Sequence, residues 1–188
     1  MEEGTVRLPD RLNNGDVHMA LIPYDDRFEC RTIYPLCVLA VFPEHHPLRS
    51  RRTLEVAELR DEPLLLLHAG FGSRVWFDAA CQAAHIRPRV LLESAAPHTI
   101  IALAREGYGV AVVPSTALVP REGARAVPLV QREAVIGGWL AAAWDQQRFL
   151  APYAEQFVEE LVTHTRRNYP GREFVRRTPP PRPKQPAR

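Results

Sequence analysis

The chain has 188 residues, 46% of them hydrophobic, enough for one domain or two small ones with a core. Its formal charge of +2 conceals an asymmetry: residues 166–188 carry eight Lys or Arg and one Glu, which leaves residues 1–165 acidic at −5. No apolar run reaches the ~18 residues of a membrane span, the acidic start lacks the regions of a secretory signal, and Cys30, Cys37 and Cys81 have no short paired spacing. A reduced, cytoplasmic protein with no membrane contact is therefore expected.

In chain order, Asn13 to Asp16 form a turn cluster, and Val17 to Ile22 read as a strand with almost no structure before it. A longer apolar segment runs from Ile33 to Phe42. Pro35 is expected to divide it, leaving a strand of roughly six residues from Cys37 to Phe42. Thr53 is placed to cap a helical turn through Leu59, and Leu64 to Leu67 read as a buried strand. The segment HAGFGSRVW then passes through two glycines into a helix beginning near Ser73, with Val75, Trp76, Ala79, Ala80 and Ala83 as its apolar face. Val90 to Leu92 form the next strand.

His98 to Ser115 encode three events in succession. A short helix starts at His98 or Thr99 and turns Ile100, Ile101, Leu103 and Ala104 inward. Gly107 ends it in the left-handed conformation, and Gly109 permits a close backbone approach. Val110 to Val113 are apolar without alternation, the mark of a strand covered on both faces, and Pro114 stops it. Residues 37–115 thus alternate strand and helix, which is the order of a doubly wound α/β unit. Beyond them lie strands at Ala126 to Val130 and Gly138 to Ala143. A last helix over Leu150 to Thr165 is expected to bury Tyr153, Ala154, Phe157, Val158 and Leu161. The proline-rich basic tail, residues 166–188, is expected to be disordered or extended.

No residue set suggests catalysis. Gly70-Phe71-Gly72 lacks the third glycine of a dinucleotide fingerprint, since Val75 stands there, and no GxSxG elbow is present. His45 and His46 are adjacent on an extended segment and point apart, so no metal site is expected, nor any cofactor. Trp76, Trp139 and Trp144 are expected to pack. The backbone at Ser73 and Arg74 could hold a carboxylate or phosphate at a helix start; Ser73 as a simple N-cap is the other reading.

Four segments, LNNGDVHMALIP, VFPEHHPL, DEPLLLLHAGFGSR and LAREGYGVAVVPSTAL, in that order resemble the regulatory domain of LysR-type transcriptional regulators over about Leu12 to Leu161. Gly15, Ala20 and Leu21 match a strand motif of the family, with His18 where it has Asp. His46-Pro47-Leu48 and Gly107-x-Gly109-x-Ala111-x-x-Pro114 match two further elements. The resemblance implies an α/β fold of the periplasmic-binding-protein type (type 2), two doubly wound subdomains with the first incomplete. Residues 1–36 and 126–165 would form subdomain I and residues 37–125 subdomain II.

The implied function is that of a non-enzymatic sensor binding a small, anionic effector between the subdomains; a solute-binding protein or an enzyme of the same fold is the alternative. Ligands of such sheets meet the carboxyl ends of strands near helix starts. The candidate residues are therefore Pro23 and Tyr24, then Phe71, Gly72, Ser73 and Arg74, then Ser94, His98 and Thr99. A homo-oligomer is expected, with DNA contacted only through an N-terminal domain that is not part of these residues.

Overall fold

Two long strands carry the architecture of the computed structural model, which describes residues 5–165, 168–176 and 178–183. The helices are α1 (Leu8–Asn14), α2 (Gly72–Ala83), α3 (Pro97–Arg105), α4 (Pro152–Thr165) and α5 (Arg172–Val175). The strands are β1 (Ala20–Pro23), β2 (Glu29–Pro43), β3 (Leu54–Glu55), β4 (Pro63–Leu67), β5 (Arg89–Ser94), β6 (Val110–Pro114), β7 (Ala124–Gln131), β8 (Ala134–Val135) and β9 (Gly137–Trp144).

They form one sheet path, β1-β9-β2-β6-β4-β5, with β7 also paired to β2. The 15-residue β2 connects its two halves. Glu29 to Cys37 pair antiparallel with β9, whereas Val38 to Val41 pair with β6 and Leu39 to Pro43 with β7. The expected break at Pro35 does not occur. A β-bulge between Thr32 and Tyr34 already interrupts the ladder, and next to such an irregularity the missing proline N–H is tolerated, so β2 runs on with Pro35 opposite Trp139.

β6 and β4 are parallel and buried on both faces. Phe42, Leu64, Leu66, Phe77 and Val110 share the core under α2, and Leu39, Leu65, Leu67, Ile100 and Val113 share the core under α3. The chain returns toward β1 only at Gly137, not at residue 126. Val127 and Leu129 of β7 are buried in the core under α2, and that burial keeps β7 with the outer half of β2.

Three helical expectations need correction. Residues 53–59 form the short β3 followed by a 3-10 turn, capped by Glu55 and Glu58 reciprocally rather than by Thr53. The buried stripe of α2 is Ser73, Phe77, Ala80 and Cys81, so Val75 is 48% exposed and Ala79 and Ala83 face solvent. Both stripes have helical period; the bulk of Phe77 decides the rotation. In α4, Ala154 and Val158 are buried while Tyr153 is 71% and Phe157 52% exposed, since small residues let the helix approach Ala142 of the sheet.

The tail differs most. Residues 168–176 fold back over the sheet: Tyr169 stacks on Tyr34 with ring centroids 4.8 Å apart, and Val175 of α5 is buried in the core under α3. Further on, the Trp139 indole N–H donates to Pro180 O (3.2 Å) and the Arg182 guanidinium lies over the Trp139 ring. Three apolar anchors, Tyr169, Phe174 and Val175, outweigh the basic and proline-rich composition there. For residues 166–167, 177 and 184–188 the expected disorder falls outside the described residues.

Candidate effector cleft

β1 ends at Pro23 and the chain turns through Tyr24, Asp25 and Asp26; facing that turn is the first turn of α2. Between them lies a cavity of about 480 Å³. One wall is Thr5, Val6 and Pro9 with Ile22 to Asp26, and the other is Gly72, Val75 and Trp76. Trp76 packs against Gly138, and Tyr24 N–H donates to Trp139 O (2.8 Å), so the floor is the crossing segment of β9. The lining is mostly apolar, as ligand cavities of this size are.

The walls meet at Gly72. Its N–H donates to Thr5 Oγ1 (3.1 Å), and a Cβ there would stand 2.9 Å from Pro23 Cγ, so a side chain would wedge the walls apart. Beside this contact Val6 N–H donates to Gly70 O (3.1 Å). The N-cap of α2 is Phe71, with no side-chain cap, so neither of the N-terminal donors beyond it relies on Ser73; Ser73 is buried in the first turn.

Of the nine residues expected at the site, Pro23, Tyr24 and Gly72 line the cavity. Phe71 packs edge-on against His68 at 4.8 Å. Arg74 is committed elsewhere: its guanidinium donates to Asp78 (2.8 and 3.0 Å), Glu93 (2.6 Å) and Leu67 O (2.8 Å), tying α2 to the ends of β4 and β5. Ser94 Oγ accepts from Ala96 N–H (3.1 Å), while His98 and Thr99 are exposed on the first turn of α3. None of these last three lines the cavity.

Sequence reasoning missed Thr5, Val6 and Pro9, which meet Gly72 only across the fold, and the acidic rim. There Asp25 accepts from the Arg27 guanidinium (2.6 to 3.0 Å), which holds its carboxyl below the usual range. Among the described residues no group of three or more His, Cys, Asp or Glu could hold a metal, and no helix is long and apolar enough to cross a membrane.

The cavity lies between two sheet halves joined by β2, and comparison with known proteins shows the family. Residues 1–166 match the family model described as LysR substrate binding domain. The chain belongs to that family.

Among curated proteins it is similar to the HTH-type transcriptional regulator YybE of Bacillus subtilis, 27% identical over 164 residues, covering 84% of this chain and 54% of YybE. The transcriptional dual regulator GltC of the same organism is 24% identical, covering 82% and 53%. The chain thus spans about half the length of the curated relatives it matches. Its fold resembles the effector-binding domain of QuiR in complex with shikimate, with a TM-score of 0.73, 15% identity and coverage of 88% and 80%. It also resembles the CcmR regulatory domain of Synechocystis PCC6803 in complex with 2-PG, with a TM-score of 0.74, 16% identity and coverage of 86% and 80%. The periplasmic-binding-protein-like α/β fold of this LysR substrate-binding domain is that of its family.

Proposed function

We propose that this LysR substrate-binding domain is the non-enzymatic sensing part of a bacterial transcription regulator, and that it takes a small anionic metabolite with an apolar body in the cleft. The observation that carries this reading is the Gly72 N–H, which points across the cleft from the first turn of α2 and is met there by an oxygen acceptor, Thr5 Oγ1. A ligand carboxylate at that position would gain the same donor with the helix dipole behind it, and its apolar part would lie against Pro23, Ile22 and Trp76. Arg74 acts through its ion pairs as a brace for α2 rather than as the anion's partner, and Phe71 O accepts the first backbone hydrogen bonds of that turn. In the whole regulator, DNA contact belongs to a separate N-terminal segment and self-association to the assembled protein, in the cytoplasm.

The match of the QuiR domain, whose structure holds shikimate, supports a small-molecule role for this fold. Calorimetry with a panel of small carboxylates tests it. Trp76→Ala removes the largest apolar wall and is expected to weaken the bound acid at least tenfold, about 1.4 kcal/mol. A panel member bound equally well by wild type and Trp76→Ala would remove the cleft as its site.

A further inference from the structure

A second cavity, of about 460 Å³, shares no residue with the cleft. One wall is the chain that follows β6, with Leu118 and Val119, and the other is the tail, with Tyr169 and Phe174. The tail wall is fixed in place. Tyr169 is stacked on Tyr34, Val175 is anchored in the core, and Gly171, at φ 77°, lies so close on the carbonyl of Ser115 that no side chain would fit. Leu118 nevertheless leaves 89% of its surface exposed at this cavity, a large apolar group without a protein cover.

At the mouth stand Arg121 and Arg125. Among the described residues Arg121 has no hydrogen bond or ion pair, and the Arg125 side chain makes only a 3.5 Å contact with Arg51 O. Both also line an adjoining hollow of about 430 Å³ to which Arg49 contributes a further cation, while the Glu44 carboxylate there accepts from Gly123 N–H (3.1 Å). A trough with an apolar patch at Leu118, Tyr169 and Phe174 thus carries two guanidinium groups without a carboxylate partner among the described residues, Arg121 and Arg125. Glu173 of the tail wall is the single carboxylate among the described residues lining the trough, and it disfavours a ligand with a second negative charge.

We infer that this trough binds a small organic monoanion, a carboxylate whose aromatic or branched body covers Leu118 between Tyr169 and Phe174 while its acid group meets Arg121 and Arg125. Forked guanidinium donors suit a carboxylate, and an apolar body is what the trough leaves unmatched. Tyr169 and Phe174 lie past residue 166, where the family match ends.

The test uses the full chain, with anilinonaphthalene sulfonate fluorescence as the reporter and benzoate as the competing ligand. Wild type is expected to bind the dye saturably and to release it to benzoate but not to benzamide, which has the same ring without the charge. Arg121→Glu with Arg125→Glu, both exposed positions at which folding is checked by thermal melting, should weaken benzoate at least tenfold, and Trp76→Ala in the cleft should leave it unchanged. The proposal falls if benzoate shows no saturable displacement, if benzamide competes equally, if the charge-reversed pair binds as wild type does, or if Trp76→Ala abolishes the competition.

Discussion

At the scale of single residues, Gly107 and Gly109 stand two positions apart and are needed for different reasons. Gly107 sits at φ 81° with nothing near its absent Cβ, so it is needed for backbone conformation alone. Gly109 has an ordinary φ, but a Cβ there would collide with the backbone carbonyl of Pro63 in the neighbouring strand. Gly107→Ala should therefore cost about 1 kcal/mol, and Gly109→Ala about 3 kcal/mol because a strand rather than a side chain must move; urea unfolding of the two variants checks the order.

A second residue-scale prediction concerns Cys37. Burial pushes its thiol from the usual 9 up to about 12, against the hydroxyl of Ser115, whose contact lowers it. A neutral buried thiol favours the folded state until the unfolded thiol ionises. This contribution is fully present below pH 9 and is lost as pH rises toward about 12. Stability measured from pH 8 to 11 should fall less steeply in Cys37→Ala than in wild type; parallel slopes would show that Cys37 does not contribute.

Among the elements, strands were easier to read than helix rotations. Val110 to Val113 and Leu64 to Leu67 are unbroken apolar runs, and they lie side by side inside the sheet, covered by α2 on one face and α3 on the other. The helices α2 and α4 each offer two apolar stripes of the same period, and only the sheet beneath selects between them. The unselected stripes are left outside: Val75 on α2, and Phe149, Tyr153 and Phe157 at and on α4.

Strand order was equally hidden. The strand read at Gly138 to Ala143 is β9, interior between β1 and β2, and the sheet path ends at β1 and β5. On β5 the apolar Val90, Leu91 and Leu92 are all exposed, Leu91 by 54%, which makes it a pairing template. Leu91→Lys should reduce self-association at high concentration, read by light scattering, without lowering the melting temperature; unchanged scattering would place the association elsewhere.

For the whole molecule, the tail crosses between the two halves of the sheet. It leaves α4, packs Tyr169 on Tyr34, buries Val175 under α3 and returns to Trp139. Stopping the chain after Thr165 should lower stability by roughly 2–5 kcal/mol, the worth of burying about two side chains of this size, as a shift in the denaturation midpoint would show. An unchanged midpoint would mean that the tail rests on the sheet without stabilising it.

The sequence by itself determined the local and the periodic: the α/β alternation, the buried central strands, the left-handed turn at Gly107, and the strand end and helix start where Pro23, Tyr24 and Gly72 line the candidate cavity. Each of these depends on neighbours along the chain, on a hydrophobic period, or on a residue whose backbone freedom is special. Tertiary structure alone decided what depends on distant contacts. Thr5 became part of the cleft by meeting Gly72 across 67 positions, Arg74 was drawn away from it by Asp78 and Glu93, and a basic, proline-rich tail was held by Tyr169 and Val175. Composition averages over such anchors, whereas burying an apolar side chain depends on whether another part of the chain supplies a fitting surface.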